Sequence, residues 1–124
     1  MKIKRTLVLS QARKVYGSKN QILVSMEELN ELAAVLAKFP RYTDEAQAVT
    51  ELYDKVLDEY ADVMVVMDHV KNIFGLVDTD IEERMDAKTE RLRRWLDASP
   101  TMLQTVRDRE LVDRQITMFD PEGE

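Results

Sequence analysis

Apolar residues recur at helical steps along most of this chain. Leu7, Val8, Ala12 and Val15 mark a short helix over roughly residues 6–16, ending at Tyr16-Gly17. Ser18-Lys19-Asn20-Gln21 has the form of a capping box and opens a second helix. Along it Ile22, Met26, Leu29, Ala33 and Leu36 repeat at four- and three-residue steps, an amphipathic stripe that stops before Pro40. Thr43 or Asp44 caps a long helical stretch, continuous or broken in its middle, which Gly75 closes in a C-cap position. Thr79-Asp80-Ile81-Glu82 is a second capping box, opening a helix with Ile81, Met85, Leu92 and Leu96 as its buried row. Ser99-Pro100 ends that helix or starts another. Beyond residue 101 the pattern weakens: Leu103, Val106, Leu111 and Ile116 suit a helix or an arm, and residues 120–124 read as a frayed end. There is no strand alternation, internal repeat or linker. The expected architecture is all-α, a helical bundle of about four main helices over residues 1–98, followed by an extension over 99–124.

Composition narrows the function classes. The 124 residues suit one domain, and 44% hydrophobic with 34% charged residues provides for a core and a solvated surface. The net charge of −6 is unevenly spread. Lys2, Lys4, Arg5, Arg13, Lys14 and Lys19 precede any acid, and the remainder holds 12 cations against 24 acids. An acidic chain of this kind is a poor non-specific binder of nucleic acid, so none is expected as a partner. Cysteine is absent, which excludes disulfides and thiolate metal sites. The apolar run after the basic start is too short for a signal peptide, and no stretch is long enough to cross a bilayer. No membrane partner is expected, and the expected location is cytoplasmic.

Two acidic clusters then stand out, Glu27-Glu28-Leu29-Asn30-Glu31 and Glu59-Tyr60-Ala61-Asp62. In each, a pair three residues apart (Glu28 with Glu31, Glu59 with Asp62) shares a helix face, about 5–6 Å apart at Cβ. Four oxygen-donating groups from two facing helices suit a hard cation such as Mg²⁺. Their neighbours are apolar. Val24 and Val35 continue the row of the first pair, and Val66, His69 and Ile73 that of the second, beside Val63-Met64-Val65-Val66-Met67. Helices apolar nearly all round are buried on more than one side, which in a small chain points to a second subunit. Acids on such rows suffer desolvation unless cations compensate them. The competing interpretation is that Glu-rich faces merely solvate a groove in a non-catalytic helical oligomer or adaptor.

The spacing EExxE, then 27 residues, then ExxD resembles the signature of MazG-like, all-α nucleoside triphosphate pyrophosphohydrolases. Tyr16-Gly17 and Gln21 look like the usual approach to the first motif. The run from Asp62 to Leu76 is similar to the helix that carries the second. The resemblance covers roughly residues 12–95 and is carried by the two motifs. It implies Mg²⁺, with Mn²⁺ as a substitute, bound by Glu28, Glu31, Glu59 and Asp62, with Glu27 on another side in an assisting catalytic role. It implies cleavage of a nucleoside or deoxynucleoside triphosphate between the α- and β-phosphates, and a homo-oligomer, dimer or tetramer, that completes the site. Such chemistry needs charge stabilisation and a positioned water more than a protein nucleophile.

Arg84, Lys88 and Arg91 form a basic row that leads to Trp95, and Lys88-Thr89-Glu90-Arg91 looks like the family's phosphate-binding element, with Lys88 also at the reacting phosphate. The alternative is a set of surface ion pairs with Glu82, Glu83 and Glu90. Gln21 could contact a base, although the capping box gives it another task, and Asn72 could face a ribose or base. His69, the single histidine, reads as a packed or interface residue. A di-iron site is excluded, because Val66 stands where a Glu-x-x-His motif needs its glutamate. Trp95, Tyr16, Tyr53 and Phe74 read as core aromatics. A phosphatase releasing single phosphates is a third, chemically close alternative.

Overall fold

The computed structural model describes residues 4–98. They form four α-helices, α1 (Arg5–Tyr16), α2 (Ser18–Leu36), α3 (Glu45–Phe74) and α4 (Asp78–Ala98), with a 3₁₀ turn at Phe39–Arg41. No strand occurs among them, so the described residues are all-α, with four main helices. Compact packing divides it after Leu76, leaving α1, α2, the 3₁₀ turn and α3 in the first unit and α4 in the second. The expected extension over 99–124 lies outside the described residues.

Each helix end has a local cause. Gly17 alone separates α1 from α2; at φ 85° and ψ 152° it closes the first and precedes the second, and its N–H bonds the Arg13 carbonyl at 2.8 Å. A residue with a side chain is strained at that φ. The expected capping box after it does not form, because Ser18 is already helical and its hydroxyl accepts from Arg13 Nε at 2.8 Å. Asp44 does cap α3, accepting from the Ala46 N–H at 2.9 Å. The 30 residues of α3 run unbroken for about 45 Å. Gly75, at φ 66°, ends it in a Schellman turn, the Leu76 N–H reaching back to the Lys71 carbonyl at 2.9 Å. The second expected box is displaced too. The Ile81 N–H bonds the Val77 carbonyl, so α4 starts earlier and Thr79 lies inside its first turn.

The main packing is α2 against α3, with α1 resting on both and the 3₁₀ turn on α3. The inward row of α2 is Gln21, Ser25, Glu28, Leu32 and Val35, all buried or half-buried. It is not the expected apolar stripe: Met26, Leu29 and Leu36 are exposed, and only Ile22 is half-buried. On α3 the buried row is Ala48, Leu52, Glu59, Val63, Val66 and His69. The seam is therefore apolar at one end and polar in the middle. Ser25 is fully buried and bonds the Gln21 carbonyl at 2.8 Å, so it behaves as a small packed residue.

His69 is the packed histidine that its apolar row suggests. It is buried, and its Nε2–H donates to the Leu9 carbonyl of α1 at 3.1 Å. The exposed Arg5–Asp68 pair at 3.9 Å adds at most about 1 kcal/mol to this contact. Three aromatics expected in the core, Tyr16, Tyr53 and Phe74, are exposed instead, while Trp95 is half-buried. The expected buried row of α4 is only partly covered. Ile81, Leu92 and Leu96 are half-buried and Met85 is exposed, so no residue of α4 reaches full burial.

Candidate metal centre

The two acid pairs meet. Glu28 and Glu31 project from α2, Glu59 and Asp62 from α3, and one carboxylate oxygen of each lies within 4.8 Å of the others. Three-residue spacing sets each pair on one helix face, and the inward rows of α2 and α3 then bring Glu28 and Glu59 together across the seam. Glu59 is buried and Glu28 half-buried, whereas Glu31 and Asp62 are exposed. The site thus has a covered floor and an open mouth.

Its floor is electrostatically costly. Burial raises the Glu28 carboxyl above its ordinary value, and the charges of Glu31 and Asp62 raise it further. Glu59 is raised in the same way, first by burial and then by Glu31, with Lys55 working in the opposite direction. Lys55 Nζ stands 3.7 Å from Glu59 Oε1. The other oxygen of Glu59 and Oε2 of Glu28 are buried without a hydrogen-bond partner. Unpaired buried carboxylate oxygens are expensive unless a cation or proton satisfies them.

The donor set suits a hard divalent ion. All four donors are carboxylate oxygens, the preference of Mg²⁺, Mn²⁺ and Ca²⁺ rather than of zinc or copper. Oxygens around a six-coordinate Mg²⁺ are about 3 Å apart when adjacent and about 4.2 Å when opposite, and the four here lie within 4.8 Å of one another. The four residues could therefore hold a metal ion.

The other candidate residues are distributed differently. Glu27 is exposed and outside the group of four. Gln21 is buried on the Glu28 row, about 10 Å along α2. Asn72 is exposed about 15 Å beyond Asp62 along α3. It lines a separate cleft of about 340 Å³ with Thr6, Asp68, Lys71, Gly75 and Leu76. Arg84, Lys88 and Arg91 belong to α4 in the second unit, where Arg84 is exposed and the other two are half-buried. Glu90, one of the acids that could have neutralised this row, is paired with Arg93 at 2.9 Å, and that bond lowers its carboxyl below the usual value. Arg93 also donates to Asp97 at 2.6 Å.

Lys55 is the site residue that reading the sequence missed. Its signal was the Lys-x-x-x-Glu spacing to Glu59, which puts a cation one helical turn from a ligand candidate. No protein-family model matches this chain, and no curated protein or solved structure matches it either.

Proposed function

We propose that this chain hydrolyses a nucleoside or deoxynucleoside triphosphate to the monophosphate and pyrophosphate, with Mg²⁺, or Mn²⁺ in its place, held by Glu28, Glu31, Glu59 and Asp62. The observation that carries the proposal is the convergence of those carboxylates on one point with two buried oxygens left unpartnered. The resemblance of the EExxE and ExxD motifs to MazG-like pyrophosphohydrolases supplies the choice of reaction.

On this reading each residue has a task. Glu28 and Glu59 form the floor and hold their oxygens toward the centre. Glu31 and Asp62 stand at the exposed mouth, where an ion that they held would be accessible to a phosphate. Bound there, the ion would draw charge from the phosphoryl oxygens and make a coordinated water acidic enough to attack. Lys55 offsets part of the Glu59 charge and, as an exposed cation beside it, would suit a phosphate oxygen. The family resemblance, and not their position, is what would assign Arg84, Lys88 and Arg91 to a triphosphate and Gln21 and Asn72 to its base and ribose. Glu27 assists from the neighbouring face.

Pyrophosphate release from a panel of standard and damaged dNTPs tests the proposal, run with Mg²⁺ and with EDTA. Asp62→Asn and Glu31→Gln should each lower metal-dependent turnover by more than about 100-fold, beyond the loss that residues behind the ligands cause. Their helical circular dichroism should be unchanged. Release of single phosphates would replace the proposal with a phosphatase. Absence of metal-dependent nucleotide binding by calorimetry would leave a helical adaptor with an acidic groove.

A further inference from the structure

Of the four clustered acids Glu59 is the most enclosed, and its two oxygens have different surroundings. Oε1 faces the Lys55 ammonium at 3.7 Å, one turn back along α3. Oε2 is buried with no hydrogen-bond partner. The other acids of the cluster are like charges, so Lys55 is a cation set against all of them through Glu59. Its side chain is 61% exposed, against 9% for that of Glu59. The ammonium is therefore held by attraction and not by packing, and it can leave. Two more acids lie within reach at helical spacing, Glu51 four residues back and Asp58 three residues on. Glu51 is engaged by the Tyr42 hydroxyl. Asp58 is exposed and lines the same open cleft as Lys55, of about 440 Å³.

We propose that Lys55 is a built-in counter-ion that competes with the metal for Glu59, and that an ion held by the four acids displaces its ammonium toward Asp58. An ammonium is a single charge that reaches one oxygen of the cluster, whereas a divalent ion can take an oxygen from each of the four acids. The exchange therefore favours the ion, but the two cations repel one another across a single carboxylate. Lys55 thus acts in two opposite directions. It lessens the repulsion among the acids and so supports the fold, and it weakens metal binding and so keeps the ion exchangeable. Competition of this kind is reciprocal: whatever draws Lys55 away from Glu59 tightens the metal. The family resemblance assigns Lys55 no role. The inference rests on the metal centre proposed above, but not on the choice of reaction.

The test uses the full chain at pH 8 with Mn²⁺ alone, free Mn²⁺ being read by electron paramagnetic resonance. Lys55→Met removes the charge and Lys55→Arg keeps it, and the position is exposed, so neither change disturbs the core. Lys55→Met should bind Mn²⁺ about 3- to 10-fold more tightly than the parent at low salt, a gain that shrinks in about 1 M KCl. Lys55→Arg should match the parent. In EDTA the melting temperature should move the other way, with Lys55→Met below the parent. A lysine that merely supported the structure would lose stability and metal affinity together when replaced. Equal or weaker Mn²⁺ binding by Lys55→Met would overturn the proposal and leave the metal centre standing, and so would Lys55→Arg behaving like Lys55→Met. Absence of Mn²⁺ binding by the parent would remove the metal centre itself, and this proposal with it.

Discussion

The seam between α2 and α3 has two stretches that differ in chemistry although the same helices make both. Near Val35, Ala48 and Leu52 it is buried and apolar. Two helical turns further along each helix, it brings Glu28 toward Glu59, again with little solvent access. At the first stretch, loss of water contact stabilises the pair. At the second, the same loss works against the fold, because two carboxyl groups are raised by burial and two of their oxygens lack partners. One stretch holds the helices together against the cost of the other, whose four acids could hold a cation.

That contrast can be tested by weakening each stretch in turn. The largest effect is expected at the apolar end. Leu52→Ala should cost about 2–4 kcal/mol in urea denaturation, the usual range for a truncated core leucine. A loss under about 1 kcal/mol would mean that this end does not hold the helices. Asp44→Ala removes the cap that begins α3 at the same end and should cost about 1 kcal/mol, measured in the same way.

The acidic stretch should respond least, and with the opposite sign. Glu28 and Glu59 bind their protons more tightly in the folded chain than in the unfolded one. The stability linked to them is thus complete below the ordinary glutamate value of 4.5 and is lost as pH rises through their raised native values. In EDTA, Glu28→Gln should flatten this decline and leave the protein slightly more stable than the parent at pH 7.5. Mg²⁺ should stabilise the parent by mass action and the variant less. Equal Mg²⁺ stabilisation of both proteins would remove Glu28 from the ligand set.

Much of this was legible before folding was considered. Helix positions followed from apolar periodicity, Gly17, Gly75 and Asp44, because helices are closed by local chemistry. The acid pairs were legible too, since three-residue spacing places side chains on one face wherever the helix lies. Ser18 and Thr79 misled for a related reason. Both have the residue types of a capping box, but the backbone becomes helical before either can act as the cap. Lys55 was overlooked because a lysine one turn from a glutamate is common on solvated helices, and its meaning depends on what else Glu59 meets.

The sequence by itself determined that the described residues are helical, the outer limits of the first-unit helices but not that α3 is unbroken, and that two pairs of acids each share a face. All of these depend on residues within a few turns of one another. Only the tertiary structure decided which face of α2 turns inward. Its most regular apolar stripe stays outside, while Gln21, Ser25 and Glu28 face α3. Periodicity reveals that a helix has an apolar side but not what covers it. Burial is a relation between segments distant in sequence, as when His69 finds the Leu9 carbonyl 60 residues away. The same long-range packing brings two pairs of acids, with 27 residues between Glu31 and Glu59, within reach of one ion.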